Sequence, residues 1–241
     1  MSNVRFILCF LGLWMGHCCA QIQTDMVVDR PDITESPFSV NKHFAQLEMG
    51  FDYVQSRSNH TFQLPNALLR CGLSNSSELR LGVQHGVIRD RNFANGVSED
   101  FAILGLKKHA YKSTNARFNA AVLTNVAIGL FNIGIHNTQY ELILIAQNDF
   151  KNKTSLNYNL GLLGNASNMC KFLTSSYTFN LHKNTSAFIE TYAIANSNIK
   201  DEFGVNLGLL KLLTPNLQID CLIGYNQLSV LSSSLGFAFR F

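Results

Sequence analysis

Four charged side chains crowd the nine residues Asp29-Arg30-Pro31-Asp32-Ile33-Thr34-Glu35-Ser36-Pro37. Asp29, Asp32 and Glu35 could in principle hold a calcium ion, but the stretch lacks the glycine turn of an EF-hand loop. Paired with opposite charges, the same residues could instead tie this segment to another part of the molecule. Ten further charged positions are candidates for an enclosed polar interior: Glu48, Asp52, Arg70, Glu78, Arg80, Arg117, Glu141, Glu190, Asp220 and Arg240. Six acids mixed with four bases do not make an ion-selective ring of one sign. They suit either a polar path that guides solutes or a network of ion pairs packing a narrow interior. Four histidines, His85, His109, His136 and His182, are candidates for a catalytic base. No G-x-S-x-G or comparable nucleophile setting surrounds them, so the reading is a non-enzyme with no metal and no cofactor.

The elements that would carry these charges show in the hydropathy pattern. Leu235, Phe237, Phe239 and Phe241 alternate with Ser234, Gly236, Ala238 and Arg240. Leu217, Ile219, Cys221, Ile223 and Tyr225 oppose Gln218, Asp220, Gly224 and Asn226, and Leu47, Met49, Phe51 and Tyr53 oppose Glu48, Gly50 and Asp52. Period-two alternation is the mark of a β-strand with unlike faces. Twelve such segments are expected, near 43–56, 65–73, 77–87, 98–111, 115–126, 137–149, 154–164, 169–181, 185–195, 201–213, 216–226 and 230–241. They are longer than the roughly five or six residues usual in soluble strands, and match the ~9–11 a tilted membrane-spanning strand needs. The face opposite the apolar one is rich in Gly, Asn, Gln and Ser, as a wet interior would be.

Charged residues make up 15% of the chain, against roughly 25% in a soluble domain, so part of the exterior is expected to face something other than water. The net charge of +3 and the absence of a long basic run argue against nucleic-acid binding. A basic Arg5, an apolar stretch from Phe6 to Met15 and the small exit at Cys18-Cys19-Ala20 predict a cleavable secretory leader over residues 1–20. Beyond it, Cys71, Cys170 and Cys221 are too few and too widely spaced for a disulfide framework or a zinc site. Long linkers are expected at Ser56–Leu64, Val87–Val97 and Ala127–His136, with short turns after the even-numbered strands. That alternation fits a barrel whose two termini share the periplasmic side.

The expectation is therefore an all-β, up-and-down transmembrane antiparallel barrel of about twelve strands over residues 43–241, preceded by a segment, residues 21–42, that is either periplasmic or a plug in the lumen. Closure follows from physics, because an unpaired backbone edge in hydrocarbon has no water to turn to. Two alternatives stay open: a non-transporting structural or adhesion barrel, and a periplasmic lipid-binding barrel whose apolar faces point inward. Substituting Arg at outward Ile219 or Phe237 should be costly, and at Asn206 or Gly208 mild if that face lines the lumen.

A family resemblance rests on several motifs in order: DRPDITESP (Asp29 to Pro37), the strand Leu47-Glu48-Met49-Gly50-Phe51-Asp52-Tyr53, LRCGLSNSSELRLG (Leu69 to Gly82), FIETY (Phe188 to Tyr192), LLTPNLQID (Leu212 to Asp220) and the ending GFAFRF. Together these resemble the outer-membrane barrel family labelled MetA-pathway of phenol degradation, often described as "transporter", over about residues 24–241. The resemblance implies a bacterial outer-membrane location and a passive channel or transporter for small, apolar or aromatic molecules. The partners so implied are outer-membrane lipid and a small-molecule solute. A C-terminal aromatic, here Phe241, also resembles the signal read by the barrel-insertion machinery.

Overall fold

The computed structural model describes residues 26–90, 97–131, 137–151, 154–196 and 201–241. The leader expected over residues 1–20 lies outside them. Twelve strands follow in chain order: β1 (Ala45–Gln55), β2 (Asn59–Ser74), β3 (Ser77–Asp90), β4 (Val97–Lys112), β5 (Phe118–Gly129), β6 (Thr138–Asp149), β7 (Ser155–Gly164), β8 (Met169–His182), β9 (Thr185–Asn196), β10 (Glu202–Thr214), β11 (Leu217–Asn226) and β12 (Leu231–Arg240). Each pairs antiparallel with its sequence neighbour, and β12 closes on β1 through the register Gln46↔Arg240 to Gln55↔Leu231. The backbone of Ala45 exchanges two hydrogen bonds with Phe241, at 2.9 and 2.8 Å, so the last residue completes the seam. No edge is left open, the condition for strands in hydrocarbon.

The two faces separate as the alternation requires. Ile219, Ile223, Tyr225, Leu235, Phe237 and Phe239 are exposed, while Gln218, Asp220, Asn226, Ser234 and Arg240 between them are buried. An apolar exterior around a polar interior excludes the lipid-binding barrel with inward apolar faces. Cys71, Cys170 and Cys221 are free thiols.

Several strand boundaries differ from expectation, the start of β5 at Phe118 rather than near 115 among them. β2 begins at Asn59 and β3 runs to Asp90, so most of the first expected long linker and the start of the second are strand. Polar Asn59, His60 and Thr61 pair with Asp90, Arg89 and Ile88; the backbone ladder continues here without the apolar–polar alternation that marks strands in the sequence. Pro65, which cannot donate to a ladder, is accommodated where the β2–β3 register shifts between Gln63 and Asn66.

Candidate functional site

Residues 27–40 lie inside the barrel. Their amides and charges meet inward side chains of β1–β4 on one side and of β8–β12 on the other.

On the first side stands a charge cluster. Arg70 donates to Glu48 at 2.8 Å and to both oxygens of Glu78 at 2.9 and 3.0 Å. Arg80 donates to Glu78 at 2.9 Å and clasps Glu35 with two nitrogens, at 2.8 and 2.7 Å. Asp29 sits among three cations: Arg80 donates to it, Lys107 Nζ lies 2.5 Å away and Arg70 Nη1 3.1 Å away. The other Asp29 oxygen accepts the Ser36 amide and hydroxyl, at 3.1 and 2.7 Å, folding the segment into a turn. Backbone groups of the segment join in. Val40 donates to Glu78 at 2.6 Å, and the carbonyls of Val27, Phe38 and Ser36 accept from Arg70, Arg70 and Lys107. Burial opposes ionisation of Asp29, yet Arg70, Lys107 and Arg80 together hold its carboxyl well below the usual range.

On the second side Glu190 receives the segment. Its carboxylate accepts the Ile33 and Thr34 amides at 3.2 and 2.7 Å and the Thr34 hydroxyl at 2.5 Å, while Asn206 donates to it at 2.6 Å. Asp32 is pushed well above the usual carboxylate range by burial and by the nearby charge of Glu190. Arg30 crosses to the closing seam. It donates to Ser234 at 2.8 Å and lies 3.5 Å from Asp220 and 3.8 Å from Asp52. Its guanidinium rests against Gly50 and Gly236, which face each other across β1 and β12, and a Cβ on either would collide with it.

Of the ten expected interior charges, Glu48, Arg70, Glu78, Arg80, Glu190 and Asp220 are buried and meet the segment. Asp52 is half-buried beside Arg30 and Asn66, and Glu141 accepts from Asn125 at 2.6 Å on another part of the wall. Arg240 is inward at the terminus end, bonded to Asn216 at 2.9 Å and stacked over Phe44. Arg117 is a correction. It is exposed in the β4–β5 turn, because β5 starts only at Phe118. Lys107 was missed by sequence reasoning, although it is in phase with inward Gly105 between outward Leu104 and Leu106.

Two cavities flank the segment, and Arg30 and Asp32 line both. One, of about 250 Å³, lies against Glu48, Asp52 and Asn66. The other, of about 480 Å³, lies between the segment and β6–β11 and reaches Lys183 and Asn184 at the end of the barrel that holds the C-terminus.

A closed even-numbered barrel with a lipid-facing apolar belt and charges sealed inside defines a bacterial outer-membrane β-barrel. The model of the family "Putative MetA-pathway of phenol degradation" matches residues 28–241, and the chain belongs to that family. Among solved structures it is similar to an outer membrane channel from Pseudomonas putida F1, at 10% identity and a TM-score of 0.67, covering 89% of this chain and all of that one (100%). It is also similar to the NanC porin, at 10% identity and TM-score 0.61, covering 80% and 98% of the two chains. A third likeness is the KdgM porin in complex with disordered oligogalacturonate, at 12% identity and TM-score 0.57, covering 80% and 99%. No curated protein matches the chain.

Proposed function

We propose that the protein is a narrow passive channel for small molecules, without enzymatic activity, and that residues 27–40 stand in its lumen as a plug. The observation that carries this is the pair of cavities separated by one polar segment inside a closed barrel. The solved barrels of like fold are themselves a channel and porins, which supports the reading. Twelve strands leave an interior between that of eight-stranded barrels, filled by side chains, and that of porins with sixteen or more. The segment narrows it further. Of the apolar side chains in the lumen, the cluster of Leu123, Ile143 and Ile145 is buried, which leaves Leu210 and Leu212 in the larger cavity as the barrel surface that the apolar or aromatic cargo implied by the family would meet.

Residues 1–20 serve in this reading as the secretory leader. Phe241, exposed at the end of β12, is the aromatic that the insertion machinery reads. Refolded protein tests the channel directly. Planar-bilayer recordings should show a small steady conductance and liposomes should admit small solutes. A barrel sealed to ions and solutes alike would defeat the proposal.

A further inference from the structure

The cavity at the terminus end has a wall unlike the rest of the interior. The barrel contributes a single charged side chain to it among the described residues, Lys183 in the exposed β8–β9 turn. The barrel's other polar groups there are hydroxyls and primary amides, among them Gln147, Asn157, Asn180 and Gln218, while the segment adds Asp32 and Arg30, the latter already engaged by Ser234 and Asp220. Two of these amides are incompletely used. Asn157 and Gln218 are each 8% exposed, and the Asn157 Oδ1 acceptor and the Gln218 Nε2 donor have no hydrogen-bond partner. The ring of Phe188 and the side chains of Leu210 and Leu212 belong to the same wall.

These features have one chemical complement. A buried amide left unpaired carries a desolvation penalty that a matching donor or acceptor removes. Amides present both roles without net charge, so they can replace the hydration of a hydroxyl but not that of an ion. Leu210 and Leu212, both only half-buried, offer a surface for C–H groups. A volume of about 480 Å³ lies within the ~300–1,000 Å³ of ordinary small-ligand sites. We infer that this cavity is a binding station for a neutral polyhydroxyl compound of sugar size, with Asn157 and Gln218 taking its hydroxyls. The inference rests on the channel reading and names the solute class that the channel favours.

The test uses three probes of nearly equal size: glucose, the anion glucuronate and the cation glucosamine, each in liposome-swelling assays on refolded full-length barrel. Glucose should enter fastest. The pair Asn157→Leu and Gln218→Leu should slow glucose by about threefold to tenfold per amide removed, while leaving the two ions nearly unchanged. If the leucine variants do not refold, as judged by heat-shifted mobility, Asn157→Asp decides, since an added carboxylate should move the preference to glucosamine. Equal entry of all three probes into wild-type liposomes overturns the inference while the channel stands. So does an equal slowing of all three in the variants, or an Asn157→Asp barrel with no gain for glucosamine. If no probe enters and no current flows, the channel reading falls and this inference with it.

Discussion

Two walls of the same lumen solve the problem of being inside in opposite ways. On β1–β4 the inward side chains Glu48, Arg70, Glu78, Arg80 and Lys107 are all at most 2% exposed and are joined in ion pairs with one another and with Asp29 and Glu35. On β5, β6 and β8 the inward Ala121, Leu123, Ile143, Ile145 and Phe172 pack on one another as an apolar cluster. A buried charge is tolerable only while its partners stay in place, because desolvating an ion costs several kcal/mol. The charged wall is therefore specific, demanding one position of the N-terminal segment. The apolar wall asks only for volume and shape, and is expected to forgive changes that keep both.

The comparison can be broken most sharply at Asp29. Asp29→Ala leaves Arg70, Arg80 and Lys107 short of a shared counter-charge, at a cost of about 3–5 kcal/mol. Single-channel conductance should rise, and the segment should become open to protease. Mild acid should not reproduce this. The depressed Asp29 carboxyl contributes stability that is present above its unfolded pKa and lost only as pH falls through its lower folded value. Asp32 and Glu35 are shifted up, chiefly by burial, so each favours the folded state more as pH falls. Conductance recorded from pH 7 to about 5 should therefore not increase. An opening in that range would mean that Asp29 is not the latch.

Next in size comes the outer surface. Ile219→Arg places a charge on the lipid-facing side and should cost about 2–4 kcal/mol in unfolding from vesicles if it lies near the bilayer midplane. The inward face is not the uniformly lenient control that an open lumen would make it. Phe188 packs over Gly208, and Asn206 is bonded to Glu190, so Arg at either site displaces an existing contact. Smaller still is Ile143→Leu on the apolar wall, expected to cost under about 1.5 kcal/mol in the same unfolding assay. On the opposite wall Arg80→Lys should exceed it despite keeping the charge, because lysine cannot form the two-nitrogen clasp on Glu35. A reversed order would remove the distinction between the walls.

The sequence made most of this architecture legible because lipid imposes a strict code. Where one face meets hydrocarbon and the other meets polar groups, as in β11 and β12, each residue type reports its side. That code fails in two places. In β5 and β6, runs such as Ala120-Ala121-Val122-Leu123 and Leu142-Ile143-Leu144-Ile145 are apolar on both faces, so alternation could not say that Leu123 and Ile143 point inward. It fails again near strand ends, where Lys107-Lys108 puts like residues on unlike faces: Lys107 is buried against Asp29 and Lys108 is exposed. Capture of the N-terminal segment by interior charges was legible only as one of two alternatives, and the partners that hold it were not. Which partners do so depends on which inward charges converge across β3, β4 and β9, a matter of register and barrel width.

The smallest expected effect tests that strand-end boundary. Arg117 and Arg240 both lie at the terminus end of the barrel, but Arg240 is buried with its guanidinium bonded to Asn216 and Pro215. Arg117 is exposed in a turn whose backbone carbonyl, not its side chain, holds the Asp149 amide. Arg117→Ala should then change unfolding free energy by no more than about 0.5 kcal/mol and leave conductance unaltered. Arg240→Ala strips the turn of its donor and should show in both. A matching response from the two arginines would place Arg117 on the inner wall after all, and would require β5 to begin before Phe118.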